Sequence, residues 1–198
     1  MPRWGVVTAA AAPVLLVAGW TIAARLQPEG FDQVTQTISA LAADDATDQW
    51  VMTAAIIGTG IAQIATAVAL RPAARPGRIL LATGGVFTVL IALNPLPAGG
   101  EGSTAHAVVA AGSFGALALW PVVSWRSGDA VPWALRRGVA LAAGAGLVAA
   151  TAWFFHAALT ESANVGLVER VDALLLNLWP LAVAASAVGA KALTPADR

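Results

Sequence analysis

Two histidines, His106 and His156, stand among carboxylates that recur at the same ends of apolar runs. Imidazole titrates near neutrality and serves as general base, general acid or metal ligand. His106 stands where GGEGSTAH passes into an apolar run. There it either bonds a loop carbonyl or faces inward as a base or ligand. His156 follows Trp153, Phe154 and Phe155 and shares a helix face with Trp153, three residues back. The stretch TISALAADDATDQW, residues 37–50, adds Ser39, Asp44, Asp45 and Asp48, and GLVERVD, residues 166–172, adds Glu169, Arg170 and Asp172. Asp44, Asp45, His106, His156, Glu169 and Asp172 are therefore the candidate acid–base groups. Ser39, Asn94, Asn177, Trp50, Trp153 and Trp179 are candidates for holding a substrate. Arg170 is expected to pair with Glu161 or Asp44, and Asp45 or Thr47 to cap the helix that begins near Asp48.

The elements that position these groups follow from composition. The chain has 198 residues, 58% hydrophobic and 11% charged, with a mean hydropathy of +0.74. A soluble domain carries roughly 25% charge. Apolar runs near the ~20-residue length of a bilayer span follow one another. They are too long and too rich in Ala and Leu for barrel strands. The expected fold is all-α: one domain of six transmembrane helices, over about 4–25, 49–70, 78–94, 103–125, 136–159 and 167–190. Pro28 and Gly30, Pro72 and Pro76, PLPAGG at 95–100 and Pro132 punctuate the breaks. The first apolar run is longer than a signal-peptide core and is read as a retained helix. In FDQVTQTISALA, residues 31–42, Val34, Ile38 and Leu41 recur at helical spacing, which predicts a short amphipathic helix in the first connection. Small-residue pairs such as Gly58/Gly60, Gly84/Gly85, Gly112/Gly115 and Gly144/Gly146 predict close helix packing. Trp4, Trp50, Trp125, Trp133 and Trp153 suit an interfacial belt, leaving Trp20, Trp120 and Trp179 to line an internal pocket. Cysteine is absent, which excludes disulfides, thiolate nucleophiles and cysteine metal sites.

Charge orients the bundle. With six spans, one side collects nine of the eleven basic residues, leaving Arg25 and Arg170 on the other. That other side collects nine of the eleven acids, with only Asp129 and Asp197 on the first, and it also holds both histidines. The positive-inside rule makes the basic side cytoplasmic, with both termini inside. Zero net charge gives no argument for nucleic acid.

TISALAADDATDQWVM, LNPLPAGGEGSTAH and GLVERV together resemble the bacterial membrane protein family known as domain of unknown function 998, over nearly the whole chain. That resemblance implies a fold and a location, and no activity. More distantly, a Ser on an outer loop and a His opening a later span are similar to the Frag1/DRAM/Sfk1 group, which is linked to lipid remodelling and membrane trafficking. The arrangement also resembles the alkaline ceramidase and progestin–adipoQ receptor superfamily, which uses a Ser, an Asp and three His around zinc. Ser39, one of Asp44 and Asp45, His106 and His156 match that set. The third histidine is missing, and the last helix offers Asp172 and Asn177 in its place.

Three functions fit these residues. An intramembrane enzyme would act on a lipid or isoprenoid with an acidic, His-bearing site above a Trp-lined apolar cavity. Its chemistry would be hydrolysis by Ser39 or a metal-bound water, or protonation and cyclisation of an isoprenoid. A small transporter would need polar groups deep in the bundle, where Gln63 is the main one. A lipid-binding or scaffold protein would need no chemistry. The expected partners are a lipophilic small molecule or membrane lipid and the bilayer itself; the oligomeric state is left open. No cofactor is expected, since zinc would require His106, His156 and a carboxylate to converge.

Overall fold

The computed structural model describes residues 1–28, 30–100, 102–128 and 130–192. Glu29, Glu101, Asp129, Asp197 and Arg198, which enter the charge tally above, lie outside the described residues, as does the side chain of Lys191. Among the described residues, six helices are long and apolar enough to cross a membrane. They are α1 (Arg3–Leu26), α2 (Trp50–Ala69), α3 (Arg75–Ala92), α4 (Thr104–Leu119, continued as a 3-10 turn Trp120–Val123), α5 (Arg137–Leu159) and α6 (Val165–Ala192). Each packs on its chain neighbours, and α6 returns against α1, so the helices close a ring. The third span starts earlier than its apolar pattern suggests, because Pro76 takes the second helical position, where a missing N–H costs nothing.

Small residues set the spacing. A Cβ on Gly60 would lie 2.6 Å from the Gly85 carbonyl oxygen, and one on Gly85 2.7 Å from that of Gly60. The α2 and α3 backbones thus touch, as the glycine pairs predict. At the basic end, Arg78 Nε donates to the Ala67 carbonyl at 2.9 Å and Nη2 to that of Val68 at 3.0 Å. A cation thereby occupies the negative end of α2.

The first connection departs from the expected amphipathic helix. It is a series of turns ending in one 3-10 turn, Ser39–Ala42. Ile38 and Leu41 are buried and plug the acidic end of the ring, while Val34 is exposed. The cause is competition for the backbone. Arg170 Nη1 donates to the carbonyls of Gln33 and Gln36, each at 2.8 Å, and to Gly166 at 2.9 Å. The Leu167 N–H donates to the Val34 carbonyl at 3.0 Å. Groups that a helix would pair internally are held by α6 instead, and in return the connection satisfies an orphan donor of the α6 N-terminus. Gly166 permits this approach: a Cβ there would meet the Gln36 carbonyl carbon at 2.6 Å and the Gln33 oxygen at 2.8 Å.

Candidate functional site

The connection places Ser39 between two groups from distant helices. Ser103 caps α4 by accepting the His106 N–H at 3.3 Å, which sets His106 in the first turn. His106 is buried and its Nδ1 lies 2.8 Å from the Asn94 carbonyl oxygen. Asn94 follows the end of α3, where carbonyls lack helical partners. That carbonyl only accepts, so Nδ1 carries a proton, and in the neutral tautomer this leaves the Nε2 lone pair to accept. Nε2 lies 3.1 Å from Ser39 Oγ. On the other side, Ser39 Oγ lies 3.3 Å from Glu169 Oε1, and Glu169 Oε2 accepts the Ile38 N–H. Glu169 is 3% exposed. One hydroxyl thus faces two proton acceptors and has one proton to give.

Two spaces meet at this row. An open cleft of about 560 Å³ runs down the flank between α4 and α5 and is lined by Ser39, His106, Phe114, Phe154, Phe155 and Glu169, among others. Its rim includes the exposed Ala107, Ala158 and Leu159. Phe114 packs on Phe154 at 4.9 Å and on Phe155 at 6.1 Å between ring centroids, giving the cleft an aromatic wall. Behind Ser39 lies a smaller cavity of about 60 Å³ inside the ring. Ser39, Phe114 and Glu169 border both spaces, whereas His106 borders only the cleft. The inner end of the cavity is polar. Gln63 Nε2 donates to Asn177 Oδ1 at 2.9 Å, Thr88 Oγ1 donates to Gln63 Oε1 at 2.9 Å, and Thr88 and Ser113 hydroxyls lie 2.8 Å apart.

The candidates therefore divide. Ser39, His106, Glu169 and the backbone of Asn94 come together, and Asn177 lies below them. Asp44 and Asp45 are exposed and do not join them. The Asp44 N–H donates to the Leu96 carbonyl at 3.0 Å, and Asp45 Oδ2 accepts the Gly99 N–H at 2.8 Å, so both tie the first connection to residues 95–100. Neither Asp45 nor Thr47 caps α2, which starts without a side-chain cap. Instead, Thr47 exchanges backbone hydrogen bonds with the Gln27 side chain. Asp48 has φ 50° and accepts the indole N–H of Trp50 at 3.2 Å. His156 lies on the exposed face of α5 with Trp153, away from His106. Asp172 is buried one turn below Glu169, but faces α5 and accepts from Thr151 at 3.2 Å. Arg170 pairs with neither Glu161 nor Asp44, because its cation is taken by backbone carbonyls. No group of three His, Asp or Glu able to hold a metal occurs among the described residues.

The aromatic lining is also different from that expected. Phenylalanines line the cleft, and neither space is lined by tryptophan. Trp50 and Trp153 are more than half or half exposed, as an interfacial belt requires. Trp179 packs edge-on against Trp133 at 6.3 Å and lines a separate groove between α5 and α6. Trp20 and Trp120 are buried in the core. Sequence reasoning missed Thr88, Ser113 and Phe114, which carry no motif. Thr88 and Ser113 stand out only in three dimensions, where they join the Gln63–Asn177 pair across helices.

No curated protein and no solved structure matches this chain. The model of the family described as "Protein of unknown function (DUF998)" matches residues 10–186. An all-helical six-span bundle and this match over most of its length agree: the chain belongs to the DUF998 family.

Proposed function

We propose that this protein is an intramembrane acyl hydrolase whose substrate is a lipid ester or amide. The observation that carries the reading is the Ser39–His106 hydrogen bond of 3.1 Å in the wall of a largely apolar cleft that opens on the α4–α5 flank. A serine becomes nucleophilic when an adjacent base takes its proton and a third group orients the base. Here His106 is the base and the Asn94 carbonyl orients it. The cleft volume of about 560 Å³ lies in the range of small-molecule ligand pockets, roughly 300–1,000 Å³. The charge bias supports a site facing outward from a bacterial inner membrane, with both termini cytoplasmic.

Cyclisation of an isoprenoid inside the bundle is less well supported. The internal cavity of about 60 Å³ has room for a few water molecules, not for a terpenoid chain. Transport finds less support too, since Glu169 is the only ionisable residue lining the cavity.

The test is labelling of the purified protein with a long-chain alkyl fluorophosphonate, followed by peptide mapping. Ser39 should carry the adduct, and His106→Ala should slow labelling by about 10²-fold or more. Absence of an adduct at Ser39, or labelling indifferent to His106, would remove the hydrolase reading. Lipids co-purifying with Ser39→Ala would then be profiled by mass spectrometry to identify the substrate.

A further inference from the structure

Two bases flank one nucleophile, and only one of them also borders the inner space. His106 borders the cleft, through which a lipid would arrive. Glu169 also borders the inner cavity behind Ser39. We propose that this cavity is a water-binding site that supplies the hydrolytic water, and that Glu169 is the base that activates it. The inference rests on the acyl-hydrolase reading and assigns its second half-reaction.

The cavity suits water. By the measure that allots ~10–15 Å³ to one molecule, about 60 Å³ holds roughly four. Its lining supplies polar groups from several elements: Ser39, Thr59, Gln63, Thr88, Ser113, Glu169 and Asn177. The amide and carboxylate oxygens among them keep a second lone pair beyond the bonds already described. A purely apolar void of this size would stay dry. The remaining walls are Leu16, Ile38, Ile56, Ile91, Leu117 and similar residues, which confine any water to the space behind Ser39.

The division of labour then balances. In the first half, the Ser39 proton passes to His106 Nε2 while Oγ bonds the acyl carbon. The bond from that carbon to the leaving alcohol or amine breaks, and His106 returns the proton to the leaving group. In the second half, a cavity water attacks the acyl carbon and its proton passes to Glu169. The acyl–Oγ bond breaks, Glu169 returns the proton to Ser39, and the fatty acid leaves by the cleft. A bilayer enzyme faces a shortage of water at its reacting carbon. A store on the side of the nucleophile away from the lipid meets that shortage without opening the cleft to solvent.

The experiment uses the full-length protein in nanodiscs and p-nitrophenyl palmitate as probe. Wild type should release nitrophenol linearly. Glu169→Gln keeps an acceptor for the Ile38 N–H and should give a burst of one equivalent, followed by turnover slowed about 10²-fold. Its intact mass should rise by one palmitoyl group, mapped to Ser39. Ala173→Leu, which fills the cavity from α6 and leaves Glu169 in place, should accumulate the same acyl-enzyme. Wild-type turnover in both variants without acyl-enzyme would overturn the proposal. So would loss of the burst in a folded Glu169→Gln, since Glu169 would then act in acylation. If wild type itself neither turns over nor acylates at Ser39, the hydrolase reading fails first.

Discussion

Replacing Gly166 with alanine should disable the site from a position that touches none of its reacting atoms. The new methyl would stand 2.6 Å from the Gln36 carbonyl carbon and 2.8 Å from the Gln33 oxygen, where ordinary contact begins at 3.4 Å. The Gln36 carbonyl oxygen would be nearer still, so the first connection must retreat by about 1 Å or more, since backbone atoms have no rotamer by which to yield. Gln36 precedes Ser39 by three residues. A shift of that size carried through to Ser39 breaks a geometry set by contacts of 3.1 Å to His106 and 3.3 Å to Glu169. Misplacement on the 1 Å scale costs about 10²-fold in rate. Overpacking adds about 1–3 kcal/mol of destabilisation, partly offset by the ~1 kcal/mol helical advantage of alanine over glycine. The assay is the rate of fluorophosphonate labelling at Ser39 alongside thermal unfolding in detergent. Gly146→Ala, with open space at its Cβ, is the matched control and should leave labelling unchanged. Equal labelling rates in the two variants would show that the connection is not held against α6 as described.

Other perturbations separate the parts of the bundle. Gln63→Leu should lower stability by about 1–3 kcal/mol by stranding the Asn177 Oδ1; adding Asn177→Leu should recover part of the loss, and a purely additive double mutant would deny the coupling. Arg170→Met removes the Nη1 donor that holds the Gln33 and Gln36 carbonyls. Limited proteolysis should then cut the first connection faster, and an unchanged cutting rate would argue against the clamp. Asp44→Asn and His156→Ala, both exposed and away from Ser39, should leave Ser39 labelling within a factor of about two, and a tenfold loss in either would place them in the site.

The spans were legible because hydrocarbon imposes length and composition together, and few sequences satisfy both by chance. The clustering of His106 and Glu169 at one end was legible through charge. Their contact with Ser39 was not, because spacing along the chain says nothing about residues 67 and 130 positions apart. Asp44 and Asp45 drew attention by their density, yet density at a helix-connecting turn mostly reports solvation. Glu169 looked no different from Asp172 in sequence. Only the direction of each side chain separates them, one towards Ser39 and the other towards Thr151. The expected helix at 31–42 failed for a related reason: periodicity registers which side chains are apolar, and here the backbone was claimed by Arg170, a partner too distant to be read.

That claim has a consequence for biogenesis. The segment that carries Ser39 gets its shape from α6, and Ser39 meets Glu169 across 130 residues. At ribosomal rates of about 5–20 residues per second, on the order of ten seconds separate the two in synthesis. Through that interval Ser39 has no completed site, because the helix that orders it has not been made. A hydrolase embedded in its own substrate would thus emerge inert, and become competent only when the last span docks.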